Sequence, residues 1–339
     1  MRSLLKPAAG FTCLFALATA GCSAGPDGIA DSAPGPSGRA SAPAAESADG
    51  FAPYVGATGS SENDSAGSPA TYNLAFVLSS GSGCAPMWNG TQAIGDPAVK
   101  TRISQLKANG ADVRVSFGGA AGKELASDCD SAAALAAAYG EALDAAGTSK
   151  ADFDVEGGQL SDAGSIALRS QAIAKLQQDR PGLEVTFTLP VMPSGLDDRG
   201  LAVLRSANEH DVQVSTVNLM TMNYGASYTG DMGDYALAAA EAAHAQLKEV
   251  FKLSDAAAWQ GMALTSMIGV NDVAGETFTL ADAAQVRSFA EEKKIAWVSM
   301  WSTFRDQQCP GDAAASGKAA TDCSGVKQSS GAFGRAFAG

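Results

Sequence analysis

One stretch in the middle of the chain reads Ala151-Asp152-Phe153-Asp154-Val155-Glu156-Gly157-Gly158. Carboxylates at every second position are the pattern in this sequence with the most chemistry in it. Side chains of a β-strand alternate between its faces, so Asp152, Asp154 and Glu156 share one face, roughly 7 Å apart at each step. Phe153 and Val155 share the other. If that apolar face packs on helices, the acids project into the interior of the protein. Like charges in a low-dielectric interior cannot all ionise, so at least one proton is retained near neutral pH. A retained proton suits a general acid, and Glu156, nearest the strand's C-terminal end, is the one a substrate would reach. The alternative reading is a solvated polar face of an antiparallel strand.

The elements around the row decide between these. Short β-rich runs occur at Pro53–Ala57, Tyr72–Leu78, Val113–Phe117, Ala151–Glu156, Glu184–Leu189, Thr216–Tyr224, Met262–Ile268 and Ile295–Trp301. Helical patterns lie between most of them, at Ala98–Ala108, Ser131–Ala145, Asp162–Gln178, Asp198–Asn208, Asp234–Phe251 and Ala281–Lys293. Asp162, Asp234 and Asp282 stand where a helix N-terminus favours an acid. Alternating strands and helices over this length predict a single α/β domain, a (β/α)8 TIM barrel, with chemistry at the C-terminal ends of the strands. An open doubly wound sheet would carry a Gly-rich phosphate turn after its first strand, and the sequence has none. Residues 270–294 are the whole connection between the seventh and eighth strands. They leave no space for a large insertion domain, which predicts a shallow, open cleft.

At these residues the chain resembles glycoside hydrolase family 18, the chitinases and their relatives, in a bacterial secreted branch. The family signature Asp-x-x-Asp-x-Asp-x-Glu is met by Ser149-Lys150-Ala151-Asp152-Phe153-Asp154-Val155-Glu156, with Ser149 in place of the first acid. Ser-x-Gly-Gly on the third strand is met by Ser116-Phe117-Gly118-Gly119, and Trp301 matches the tryptophan that floors the central sugar site. Ser299 to Asp306 with Cys309, Thr188 to Gly195, and Gly269-Val270-Asn271-Asp272 also resemble that branch.

The resemblance implies a retaining hydrolase in which the substrate's own 2-acetamido oxygen is the nucleophile. Glu156 would protonate the leaving oxygen and later activate water, Asp154 would hold the acetamido N–H, and Asp152 would modulate Asp154. An N-acetylated sugar, chitin or a chito-oligosaccharide, is then the expected partner, and no metal or organic cofactor is needed. The family often has Met-x-Tyr-Asp on the sixth strand, where this chain reads Met220-Thr221-Met222-Asn223-Tyr224. Met222 takes the usual Tyr place and Asn223 the usual Asp place. If the strand continues, Met220, Met222 and Tyr224 share a face, so Tyr224 is expected to reach the substrate from one pleat further on. Ser116, Trp88, Tyr228 and Trp301 complete the expected site, since sugar faces stack on rings.

Composition limits the partners. The chain has 339 residues, with 23 Lys+Arg against 36 Asp+Glu and a net charge of −13. Nucleic acid and anionic membranes need a basic surface, so both are excluded as partners of the domain. Only two histidines are present, which argues against His-based metal sites and a Ser–His–Asp triad. Arg2 and Lys6, an apolar run near Ala8–Ala20 and small residues before Cys22 read as an export signal over residues 1–21. It is either of the lipoprotein type, lipidated at Cys22, or an ordinary secretion signal. Residues 22–50, rich in Ser, Ala, Gly and Pro, read as a flexible linker, and residues 51–339 as the barrel. The expected location is extracellular, free or lipid-anchored to the outer face of a bacterial membrane, and the expected state a monomer.

Of the remaining cysteines, Cys84 is expected to pair with Cys129 and Cys309 with Cys323, each being close in sequence, out of three possible pairings. Two functional classes remain open at this stage. One is an endo-acting chitinase-type hydrolase, with an endo-β-N-acetylglucosaminidase of N-glycans as a narrower enzyme alternative. The other is a weakly active or inactive chitin-binding relative.

Overall fold

The computed structural model describes residues 50–81, 83–311 and 319–339. Eight parallel strands follow one another around a cylinder: β1 (Tyr54–Gly56), β2 (Thr71–Ser79), β3 (Asp112–Gly118), β4 (Lys150–Asp154), β5 (Glu184–Pro190), β6 (Thr216–Met220), β7 (Met262–Met267) and β8 (Trp297–Trp301). The ring closes where Phe51, just ahead of β1, bridges Val298 of β8. There the Ala52 N–H donates to the Val298 carbonyl at 2.9 Å and the Val298 N–H to the Gly50 carbonyl at 2.6 Å. The expected (β/α)8 barrel is therefore present, and the described residues belong to one compact unit.

Crossover helices form where the apolar spacing places them: α1 (Pro97–Lys107), α2 (Ala132–Ala146), α3 (Ala163–Asp179), α4 (Asp198–Glu209), α5 (Met232–Phe251) and, after a short α6 (Asp255–Gln260), α7 (Leu280–Lys293). A last short helix, α8 (Ala332–Ala338), packs beside α7. Helices α6 and α8 are too short to show a helical period in sequence. Asp162 caps α3, its carboxylate accepting from the Gly164 and Ser165 N–H groups at 3.0 and 3.2 Å. Asp282 forms a capping box with Thr279 at the start of α7. Asp231, rather than Asp234, caps α5.

The outer face of the strands carries the apolar side chains. Phe153 of β4 lies 5.3 Å from Phe117 of β3, 5.8 Å from Phe187 of β5 and 4.9 Å from Tyr139 of α2, ring centre to ring centre. All four are fully buried. Removing one such ring costs about 3–5 kcal/mol. This packing points the odd-numbered residues of β4 outward and so forces Asp152 and Asp154 into the cylinder.

Two loops shape much of the mouth. After β2, short antiparallel strands Pro86–Trp88 and Gln92–Ala93 extend the sheet. After β7, Gly269–Val270 pairs with Thr277–Phe278 in a hairpin, and α7 follows directly, with no inserted domain. Disulfides join Cys84 to Cys129 and Cys309 to Cys323, as expected; the first ties the loop after β2 to the loop after β3, and the second closes a segment after β8. No helix among the described residues is long and apolar enough to cross a membrane. The export signal, Cys22 and nearly all of the linker lie outside the described residues.

One strand is shorter than its pattern. β6 ends at Met220, and Asn223 adopts φ +55°, in the left-handed region that Asn tolerates better than most residues. That turn breaks the alternation expected to run on to Tyr224.

Candidate active site

The acids descend from the mouth into the barrel. Asp152 is 0 % exposed and Asp154 5 %, while Glu156, one step past the end of β4, is half-buried. Glu156 keeps an extended backbone, φ −133° and ψ 170°, so the alternation of faces holds beyond the strand.

Asp152 is surrounded by hydroxyls. Ser116 Oγ donates to its Oδ2 at 2.6 Å, the Tyr54 hydroxyl to Oδ2 at 2.9 Å, and Thr188 Oγ1 to its Oδ1 at 2.6 Å. Asn218 Nδ2 in turn donates to Thr188 Oγ1 at 2.9 Å, and Thr265 Oγ1 to Asn218 Oδ1 at 2.9 Å. Burial pushes the Asp152 carboxyl up, while the three hydroxyls and the Arg114 guanidinium pull it back. Arg114 lies within the barrel, bonded to Asn73 Oδ1 at 2.6 Å and stacked 4.7 Å from the Trp297 ring. It is a fully enclosed countercharge to the acid row. Hydrogen bonds to a charged acceptor contribute about 1.5–3 kcal/mol each, which makes Asp152 the anchored member of the row.

Asp154 differs. Burial first, then the neighbouring charges of Glu156 and Asp152, push its carboxyl well above the ordinary range, and the approach of the Glu156 side chain adds to this. Glu156 is raised by burial and by Asp272, and lowered by the bond from Asp154. Both carboxyls are thus held above their ordinary range, Asp154 the more strongly, so the pair resists full ionisation. Asp154 Oδ1 is buried with no hydrogen-bond partner among the described residues.

Above the row opens a cavity of about 430 Å³, lined by Asp154, Glu156, Met220, Met222, Asn223 and Trp301 among others. It continues past Trp301 into a second of about 520 Å³; Phe76, Asn89, Met267, Asp272 and Trp301 border both. Trp301 is braced by Tyr54 at 5.8 Å and by Phe76, stacked at 5.6 Å, and peptide bonds before Phe76 and after Trp301 are cis. Met220, Met222 and Met267, the last paired with Trp301 across β7 and β8, make part of the lining polarisable and apolar.

Four expected contacts lie elsewhere. Tyr224 is buried outside the cavity, its ring packed with Tyr228 at 5.7 Å and Tyr235 at 5.9 Å. The turn at Asn223 carries both Tyr224 and Tyr228 away from the mouth. Trp88 is fully enclosed, its indole N–H donating to the Ile94 carbonyl at 3.1 Å, so it anchors the loop after β2. Ser116 sits below the cavity and acts on Asp152. Conversely, Tyr54, Phe76 and Asp272 line the cavity without having been singled out. The parity of Tyr54 and Phe76 on their strands offers no such hint by itself, whereas Asp272 lies in a stretch already noted for its resemblance.

Glycines let the row approach its neighbour. Gly118 pairs with Asp154 across β3 and β4 at φ +97°, and a Cβ there would lie 2.2 Å from the Asp154 carbonyl oxygen. The next amide, Gly119 N–H, donates to that oxygen at 3.0 Å.

A cylinder of parallel strands with an acid row rising to its mouth and an aromatic floor beside it defines a (β/α)8 barrel of the carbohydrate-hydrolase class. No family model matches the chain. It is 30% identical to the catalytic domain of the hyperthermophilic chitinase from Pyrococcus furiosus, covering 85% of this chain and 93% of that one, with a TM-score of 0.75. It is also 34% identical over 275 residues to a "Probable bifunctional chitinase/lysozyme" of Escherichia coli, over 76% of this chain and 31% of the relative. To "Endochitinase 11" of Metarhizium anisopliae it is 35% identical over 219 residues, 61% of this chain and 42% of the relative. The chain thus spans less than half the length of these two curated relatives. It belongs to glycoside hydrolase family 18.

Proposed function

We propose that the protein is a retaining, endo-acting hydrolase of β-1,4-linked N-acetylglucosamine, acting on chitin or chito-oligosaccharides. The observation that carries this is the Asp154–Glu156 pair: two adjoining acids, Glu156 half-buried at the cavity and Asp154 beneath it with a carboxylate oxygen that has no partner among the described residues, both lining the cavity that Trp301 borders. In this reading a sugar stacks on Trp301, and Asp154 turns from Glu156 to accept the acetamido N–H. Its proton is left on Glu156. Glu156 protonates the glycosidic oxygen as the C1–O bond breaks and the acetamido oxygen closes on C1. Water then adds to C1, giving its proton to Glu156 and reopening the ring with retention. The anion on Asp154, backed by Asp152, offsets the positive charge of the intermediate.

Cavity on both sides of Trp301 supports cutting within a chain rather than from an enclosed end. Export by residues 1–21, with or without a lipid on Cys22, would bring the domain to a polymer too large to enter a cell.

The test is product analysis by mass on chito-oligosaccharides and on a high-mannose glycoprotein, with the parent and Glu156→Gln. Cleavage of the oligosaccharides by the parent, and a loss of about 10²–10⁴-fold in the variant with binding retained, is the expected result. Equal turnover by both proteins removes Glu156 from the mechanism. Cleavage of the glycoprotein alone transfers the activity to N-glycans, and failure on both substrates leaves a binding protein.

A further inference from the structure

The residue after Met222 is Asn223, so strand β6 contributes no carboxylate to the mouth. One is nevertheless present, on the hairpin after β7. Asp272 lines the same cavity as Glu156. The two come from elements three strands apart in the ring, and so from opposite sides of the opening.

Asp272 is exposed, but the chain on either side of it is held. Asn223 Oδ1 accepts the Val273 N–H at 3.2 Å, and Asn223 Nδ2 donates to Asp272 Oδ2 at 3.5 Å. Asn271, itself buried, donates to the Met267 and Gly269 carbonyls at 2.8 and 3.1 Å. Arg305 donates to the Ile268 and Val270 carbonyls at 2.9 and 2.6 Å. Glu276 accepts the Gly225 N–H at 2.8 Å, joining the hairpin to the loop after β6 a second time. The left-handed backbone of Asn223 is what lets its side chain face the hairpin.

We propose that Asp272 is a positioning residue for the acid: held by Asn223, its carboxylate faces Glu156 across the cleft and sets the upper pH limit to which Glu156 keeps a proton. This rests on the hydrolase reading above. Among the described residues, the ionisable groups facing Glu156 are few. They are Asp154 on its own strand with Asp152 beneath it, Tyr54 from β1 and Asp272 from the hairpin. The walls supplied by β2, β5, β6, β8 and the loop after β3 bring Phe76, Leu78, Thr188, Met220, Met222, Trp301 and Ala120 to Gly122, with no charge among them. Arg305 borders the adjoining cavity with Asp272, its guanidinium occupied by backbone carbonyls. A like charge disfavours ionisation of its neighbour, and Asp272 does act on Glu156 in that direction. Removing it therefore lets Glu156 ionise at lower pH.

The experiment compares kcat/KM against pH on a chito-oligosaccharide for the parent, Asp272→Asn, Asp272→Glu and Asn223→Ala. The alkaline limb of Asp272→Asn is expected about half a unit to one unit lower than in the parent. The difference shrinks in about 1 M salt, because an exposed charge is screened. Asp272→Glu restores the parent's limb, and Asn223→Ala moves it part of the way. A uniform loss of rate with an unmoved limb overturns the proposal, since a purely structural role would do that. Carbon-13 NMR titration of the Glu156 carboxyl, assigned with Glu156→Gln, reads the same quantity without turnover. If the parent cleaves nothing, a lowered Glu156 titration in Asp272→Asn upholds the proposal while the hydrolase reading falls. An unchanged titration overturns it.

Discussion

Replacing Gly118 by alanine is the sharpest test of how the acid row is seated. The added Cβ would stand 2.2 Å from the Asp154 carbonyl oxygen. Real Cβ contacts begin near 3.0 Å, so β3 and β4 must part by about 1 Å at Asp154. A displacement of that size costs on the order of 10²-fold in rate when the reacting groups must meet in one geometry. The backbone at φ +97° adds strain of about 1–3 kcal/mol for a residue with a side chain. Weakening the Gly119 bond to Asp154 adds about 1 kcal/mol more. Together these predict a loss of about 2–4 kcal/mol in stability, with kcat falling far more than binding. Gly158→Ala is the control: it lies two residues past Glu156, and its Cβ would meet nothing within 4 Å. Urea unfolding and steady-state kinetics on a chito-oligosaccharide, run on both variants, decide the matter. If Gly118→Ala turns over within threefold of the parent, the close approach of these strands does not seat the acids.

Other outcomes follow from the same geometry. Trp301→Ala removes the floor and its contacts with Tyr54 and Phe76. It should lower kcat/KM by about 10–100-fold, read by oligosaccharide kinetics, since one aromatic platform contributes a few kcal/mol. Tyr224→Phe should leave kcat/KM within about twofold, because a phenol packed on Tyr228 and Tyr235 does not touch the substrate; a hundredfold loss would return it to the site. Asp154→Asn should abolish most activity yet stabilise the fold. Burial and its acidic neighbours raise the Asp154 carboxyl in the folded protein. The unfolded chain therefore releases that proton first, and the parent loses stability as pH rises above about 4. The melting temperature of the variant relative to the parent should thus increase from about pH 4 to pH 7. A constant difference across that range would contradict the proton placement.

The barrel was legible because its strands and helices are long enough to show their periods, and the acid row because parity on a strand survives any tertiary detail. Phe153, packed among Phe117, Phe187 and Tyr139, is the outward residue that fixes that parity. Sequence reasoning failed where a strand stopped early. Nothing in the run Met220 to Tyr224 breaks the β pattern except Asn223, and Asn is tolerated in strands as well as turns. Trp88 was misplaced because an indole N–H satisfied by a carbonyl six residues on looks, in sequence, like any loop tryptophan. Arg114 and Asp272 depend on contacts between distant strands. The first makes an enclosed anion affordable, and the second faces the acid from the far rim.

The cylinder is not equally tight all the way round. Strands β7 and β8 are paired over five residues on each side, whereas β8 meets the segment ahead of β1 through the single bridged pair Phe51 and Val298. Local opening follows the weakest cooperative unit, so that junction is where the ring should first breathe. The amides of Ala52 and Val298 should exchange with solvent deuterium sooner than those midway along β4 and β5. Their lifetimes would serve as a gauge of how firmly the ring is shut.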